Sequence, residues 1–154
     1  MSAPCYLNIT VRKADVEKFW ATLGKDFRPY WNTFMNNQEE DEFGNPVYEA
    51  TDANYAWYDQ LVEAARKGLV FHGFHGCGGS YAAGDFCAVG EKYFEVETVC
   101  GDGSRPVVGI NEDGGRVEKE IENAKEYFAA RKRVVELMKE TQCTGECAGP
   151  TAGG

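Results

Sequence analysis

The spacing of apolar residues divides the first half of the chain into one strand and two helices. CYLNITV, at residues 5–11, alternates between its two sides with the two-residue period of a half-buried strand. Through 14–23, apolar residues recur every three or four positions, and Gly24 follows as a helix stop. The same spacing predicts a helix over 53–67, which Gly68 ends.

The pattern changes between residues 69 and 110 to short β-type runs separated by glycine. The runs are LVFHGFHG, DFCAV, KYFEVETV and RPVVGI. Gly90-Glu91 fits a two-residue hairpin turn, and pairing across that turn places Cys87 opposite Phe94. We therefore predict an antiparallel meander of three strands at about 69–110.

The C-terminal third contains a long amphipathic helix. Its apolar positions follow steps of three and four from about residue 116 to 140, and they are Val117, Ile121, Ala124, Phe128, Val135 and Met138, with a break at Arg131. The segment after it, 143–154, is rich in Cys and Gly without periodicity, and we expect it to be flexible. The prediction is a single α+β domain over 1–142, with a sheet of three strands, or four if 5–11 joins it.

Composition and charge limit the classes of function. The hydrophobic fraction of 43% and aromatic fraction of 13% are those of a globular protein, and the formal net charge is −9. That charge argues against direct binding of nucleic acid, which depends on clustered Lys and Arg. The chain contains neither an apolar run long enough to cross a membrane nor a secretory signal, so we expect a cytoplasmic protein with reduced cysteines.

The negative charge is concentrated in one aromatic-rich part of the chain. Between Lys25 and Gln60, eight acidic residues stand against two basic ones, and eleven of the twenty aromatics lie between Phe19 and Tyr58. Exposed aromatics among carboxylates are typical of a surface that binds a basic protein partner. The residues predicted to bind it are Glu39, Glu40, Asp41, Glu42, Phe43 and Trp57.

In size and acidity the chain resembles small phage or plasmid inhibitors of host defence, including DNA-mimic anti-restriction and anti-CRISPR proteins. The resemblance covers no sequence motif. It implies a small acidic protein that occupies a basic nucleic-acid-binding surface of another protein. Our leading hypothesis is therefore a non-catalytic, acidic interaction module that uses no cofactor, and the sequence leaves its oligomeric state open.

The alternative hypothesis is a small metal- or thiol-dependent enzyme. FHGFHGCGGSYAAGDFC, residues 71–87, holds both histidines of the chain, and His75, Cys77 and Cys87 are the candidate ligands or nucleophile and base. Strand alternation would send His72 and His75 to opposite faces, and the paired Cys spacing of zinc sites is missing. The glycines do not follow a phosphate-loop order, so the segment fits a crowded sheet better than a site.

Overall fold

An antiparallel sheet with helices on both faces forms the protein, for which the computed structural model describes residues 4–24, 39–78, 81–99 and 102–146. Its strands are β1 Pro4–Val11, β2 Glu39–Glu40, β3 Pro46–Asn54, β4 Phe71–His75, β5 Gly84–Val89, β6 Lys92–Val99 and β7 Asp102–Pro106. Its helices are α1 Val16–Leu23, α2 Tyr58–Arg66 and α3 Glu118–Glu146. The order across the sheet is β2-β3-β1-β4-β5-β6-β7. No helix in these ranges is both long and apolar enough to cross a membrane.

The predicted α+β class and antiparallel sheet are confirmed, but the predicted count of three to four strands is too low. β1 lies in the middle of the sheet between β3 and β4. The hairpin register across Gly90-Glu91 is confirmed, since Cys87 pairs with Phe94. Both residues of that turn have positive φ, which suits the right-handed twist of a hairpin.

The strand β3 was missed, and the helix predicted over 53–67 begins later than expected. Pro46 opens β3, and the strand includes Asp and Asn, which are rare in strands, so the segment resembles a loop in composition. The chain stays extended through Asn54 and then forms one turn of 3-10 helix at Tyr55–Trp57. The helix α2 therefore starts only at Tyr58.

Helices α1 and α2 cover one side of the sheet, which we call the first face. The large side chains here pack edge to face: the Phe19 and Trp20 ring centroids lie 5.2 Å apart, and Phe19 lies 5.5 Å from Phe71. Burying such aromatic and aliphatic groups is the main favourable contribution to folding. The fully buried members are Leu7, Ile9, Val11, Phe19, Ala50, Ala53, Leu61, Ala64, Phe71, Phe86 and Ala88.

Helix α3 covers β5 and β6 on the opposite side, the second face. Its buried residues are Tyr127, Ala130, Val134 and Met138, which pack against Val70, Cys87 and Val96. The predicted stripe is confirmed at Met138 and at the partly buried Ala124, but Tyr127 is buried in place of Phe128, which is 50% exposed, and Val134 in place of Val135. The observed stripe is unbroken, and Arg131 beside it is half-buried with its Nη1 atom fully buried. The helix extends to Glu146, so it includes 143–146 of the predicted tail, and 147–154 lie outside the described residues.

Asn45 fixes the turn between β2 and β3 to the rest of the fold. Its side chain is fully buried, its Oδ1 accepts a hydrogen bond from the Lys13 amide at 3.0 Å, and its Nδ2 donates to the Met138 carbonyl at 3.3 Å. Nδ2 also donates to Asp41 at 3.1 Å. The turn is therefore attached to the connection between β1 and α1 and to helix α3.

Gly73 lies where the strands β1 and β4 pack closely together. A Cβ at this position would overlap the carbonyl oxygen of Asn8 and lie 2.8 Å from the Phe86 ring. We expect Gly73→Ala to lower the free energy of unfolding by about 1–3 kcal/mol, as overpacking does. The control is Gly76→Ala, whose Cβ would meet Tyr6 at an ordinary 3.8 Å. Urea unfolding of both variants measures the effect, and equal stabilities would contradict this packing.

Candidate functional site

A cavity of about 550 Å³ opens on the first face, where β4 and β6 meet the chain that leads into α2. Its volume falls within the range of small-molecule sites, roughly 300–1,000 Å³. The charged residues that line it are Asp59, His75, Glu95 and Glu97, and the aromatic ones are Tyr55, Tyr58 and Tyr81. We call this cavity the His75 pocket.

His75 and Glu95 line the pocket and contact each other, and Tyr93 is hydrogen-bonded to Glu95 outside the pocket lining. His75 Nδ1 lies 2.9 Å from the carbonyl oxygen of Gly76, and its Nε2 lies 3.3 Å from Glu95 Oε2. The Tyr93 hydroxyl donates to Glu95 Oε1 at 2.6 Å. Both ring nitrogens of His75 thus face acceptors, and only the protonated imidazole can donate to both.

The surroundings of His75 favour its charged form. Burial alone would lower the pKa of His75, but the hydrogen bond and charge of Glu95, the Gly76 carbonyl and the charge of Asp85 together raise that pKa above its usual 6.5. Burial, with Glu95 next to it, also raises the pKa of Tyr93 well above its ordinary value, so Tyr93 remains a hydrogen-bond donor. These contacts favour the protonated imidazole of His75 beside Glu95 in the cavity.

Gly84 leaves the space in which this pair forms. It pairs with His75 on β4 and with Glu97 on β6, so the three residues form one row on the first face. A Cβ at Gly84 would lie 3.0 Å from His75 Nε2 and 3.2 Å from Glu95 Oε2. The glycine at this position is therefore explained by the two side chains above it.

The wall of the pocket beside α2 has an unusual backbone. Tyr55, Ala56 and Trp57 have φ values of 51°, 52° and 54°, three successive non-glycine residues in the left-handed region. Each costs roughly 1–2 kcal/mol relative to the right-handed conformation. Ala56 and Trp57 are buried at 6% exposure each, so core packing holds the turn. The turn leaves Tyr55 and Tyr58 at the pocket, 46% and 51% exposed.

The structure separates the residues of the predicted metal or thiol site. Cys87 lies under α3 on the second face, opposite His72 in the strand register, whereas His75 lies on the first face. Burial, offset in part by Arg131, raises the pKa of Cys87 to about 12, which is the reverse of an activated thiol. Cys77 is exposed beyond the end of β4. Within the described ranges, no three or more His, Cys, Asp and Glu side chains form a metal-binding group.

The predicted partner-binding residues divide into exposed and structural ones. Glu39 and Glu40 are exposed on the edge strand β2, and Glu42 is exposed in the turn after it. Asp41 instead accepts hydrogen bonds from the backbone amides of Phe43 and Asn45, at 2.9 and 2.8 Å. We call residues 39–46 the acidic hairpin.

The two aromatic residues of that prediction differ from expectation. Phe43 is half-buried, with Lys139 Nζ 5.6 Å from its ring centroid. Trp57 was expected to be exposed because it falls off the apolar stripe of a helix starting at 53. That expectation is wrong: Trp57 precedes α2, in the left-handed turn, and its side chain belongs to the core of the first face.

Sequence reasoning missed Glu95, Glu97, Tyr81 and Gly84 as site residues. One signal was available, because the predicted hairpin register places Phe86 opposite Glu95. Glu95 is joined to His75 by the pairing of β4 with β5, and those strands are too far apart in the sequence, ending at His75 and beginning at Gly84, for a two-residue turn to set the register.

The His75 and Glu95 pair predicts a loss of stability with rising pH. Since the pKa of His75 is higher in the folded protein than in the unfolded chain, the pair stabilises the fold fully below about pH 6.5 and loses its effect as the pH rises through the folded value. We expect the free energy of unfolding to fall as the pH rises from about 6.5 through the pKa of His75 in the folded protein. Asp85 and His72 contribute mainly below about pH 6.5, with His72 acting in the opposite direction, and the raised pKa values of Cys5 and Cys87 contribute as the pH approaches the ordinary thiol value of about 8.5. Urea unfolding across this pH range is the measurement.

The matched variants are Glu95→Gln and Glu97→Gln, which remove a carboxylate two residues apart on the same side of β6. The first should abolish most of the pH dependence and lower the pKa of His75 in an NMR titration. The second should preserve both. A pH profile shared by the wild type and Glu95→Gln would contradict the assignment of the charged pair.

Comparison with known proteins finds no matching family model, no similar curated protein and no similar solved structure. The chemistry of the His75 pocket and the charges of the acidic hairpin are therefore the features that bear on function.

Proposed function

We propose that the protein is a ligand-binding domain whose ligand occupies the His75 pocket. The observation that carries this proposal is the position of a strained left-handed turn, Tyr55–Trp57, at the wall of a cavity with a charged pair at its floor. Strained backbone persists only where surrounding structure holds it, and such strain concentrates at ligand and active sites. Convergent polar groups in a pre-formed cavity support the same function.

Binding can be tested without knowing the ligand by filling the pocket. Ala82 is exposed and lines the cavity, so Ala82→Phe should occupy part of its volume. The matched control is Ala129→Phe, which makes the same change at an exposed position of α3. A library of polar metabolites is screened against the ¹⁵N-labelled protein, with amide shifts at residues 54–60 and 81–83 as the readout.

We expect at least one compound to bind the wild type and Ala129→Phe, and to bind Ala82→Phe at least about tenfold more weakly, a difference of about 1.4 kcal/mol. A full screen without a compound that shifts these residues would count against the proposed function, as would equal binding by all three proteins.

A second proposed function is that the acidic hairpin binds a basic surface of another protein. It is favoured by the way Asp41 and Asn45 fix the turn, so that Glu39, Glu40 and Glu42 are presented on a rigid edge of the sheet. Pre-ordered charges lose less entropy on binding and steer a basic partner. In this proposal the protein is a cytoplasmic inhibitor, of phage or plasmid type, of a nucleic-acid-binding host defence complex.

Charge reversal tests the second proposal. Glu39, Glu40 and Glu42 are changed together to Lys, while Asp41 is left in place because it holds the turn. The control reverses three exposed glutamates elsewhere, Glu91, Glu112 and Glu126, and so changes the net charge equally. In a pull-down from host lysate read by mass spectrometry, the hairpin variant should lose a basic partner that the wild type and control retain. Retention by all three proteins would refute a role for the hairpin.

A further inference from the structure

We propose that the ligand of the His75 pocket carries an organic cation, an ammonium or guanidinium group, which binds against tyrosine rings and carboxylates. This inference rests on the proposed function, because it names the chemical class of the ligand for the same cavity.

The net charge of the residues that line the His75 pocket is the first observation that supports a cationic ligand. His75 and Glu95 form an ion pair at 3.3 Å, and together they contribute no net charge when His75 is protonated. Asp59 and Glu97 remain as two further carboxylates, both exposed at the cavity. None of the described residues that line the cavity is a lysine or an arginine. The pocket therefore has a surplus of negative charge in a chain whose net charge is already −9.

The aromatic wall is the second, independent support. The ring centroids of Tyr55 and Tyr81 lie 6.2 Å apart with the rings tilted by 35°, and Tyr58 lines the same cavity. Phenol rings attract an alkylammonium or guanidinium group within about 6 Å of their centroids. Burial raises the pKa of Tyr81, so Tyr81 remains a neutral phenol.

The same features disfavour an anionic ligand. The positive charge of His75 is already engaged by Glu95 on one nitrogen, and the other nitrogen faces the Gly76 carbonyl. A carboxylate or phosphate in the cavity would therefore meet Asp59 and Glu97 without a free cation among the described lining residues. A neutral polyol could use the carboxylates as acceptors, and the experiment separates it from a cation.

The test titrates probes of matched size into the ¹⁵N-labelled protein at constant ionic strength. The cations are tetramethylammonium, butylammonium and methylguanidinium, all as chlorides. Neopentyl alcohol is the neutral probe of the same shape, glucose the polyol, and acetate the anion. We expect saturable amide shifts at residues 54–60 and 81–83 with the cations, and these should weaken as salt is added. The neutral probes and acetate should leave the same amides unshifted.

The variants separate the contributions of charge and ring. Glu97→Gln removes one carboxylate at an exposed position, and Tyr55→Leu removes a ring while keeping an apolar side chain. Each should weaken tetramethylammonium binding, Tyr55→Leu by roughly two- to fivefold. Glu91→Gln, in the β5–β6 turn outside the cavity, should bind as the wild type does. Unchanged amide spectra away from the pocket establish that each variant is folded.

Equal binding of neopentyl alcohol or glucose and the cations would overturn the inference, as would wild-type affinity in both Glu97→Gln and Tyr55→Leu. In either case the proposed function still stands if the metabolite screen yields a ligand that Ala82→Phe excludes. If no cation binds and the metabolite screen yields no ligand, both the inference and the proposed function are overturned. Nα-acetyl-lysine methylamide and butylammonium carry the same head group, so tighter binding of the first indicates a protein side chain as the source, and tighter binding of the second a free amine.

Discussion

The register of three neighbouring strands is the constraint on which the candidate site depends. His75, Gly84 and Glu97 form one row across β4, β5 and β6, and Glu95 lies on the same side one pair along. Side chains alternate along a strand, so a slip of one residue in the pairing of β4 with β5 would turn His75 toward α3 and away from Glu95. The pocket therefore depends on the core, because the strand pairing that buries Phe71 and Phe86 also places His75 and Glu95 beside them.

Core packing also determines the opposite wall of the pocket. Trp57 and Ala56 are held in the first-face core, and this burial offsets the cost of a left-handed backbone at three successive residues. Because the turn ends where α2 begins, the strain fixes the direction in which the helix starts and the position of Tyr58 beside the cavity. If the backbone of Tyr55 left the left-handed region, the shape of the pocket would change even though the chain would still contain all of its lining residues.

Local sequence patterns were enough to predict the elements whose geometry is determined by residues close together in the chain. The register of the β5–β6 hairpin was predicted correctly, because a two-residue turn leaves one register. The pairing of β4 with β5 depends on tertiary packing, and with it the contact between His75 and Glu95, residues 20 positions apart. A helical wheel could not predict the position of Trp57, because the left-handed turn interrupts the helical period at that residue. The strand β3 was hidden by its Pro, Asp and Asn content.

The two histidines of FHGFHG show how environment, and not residue type, determines chemistry. His72 lies on the second face, where burial and the nearby charge of Arg131 lower its pKa to about 3, so it is neutral. Its cross-strand partner Cys87 is fully buried under α3, and the pair serves packing. His75, three positions later, is only 5% exposed but has an acceptor at each nitrogen, and its pKa rises. A motif search that scores both histidines as equal ligands cannot distinguish them. The two histidines differ first in the face of the sheet on which they lie and second in whether an acceptor is within reach. Glu95 is that acceptor for His75, and it belongs to no motif.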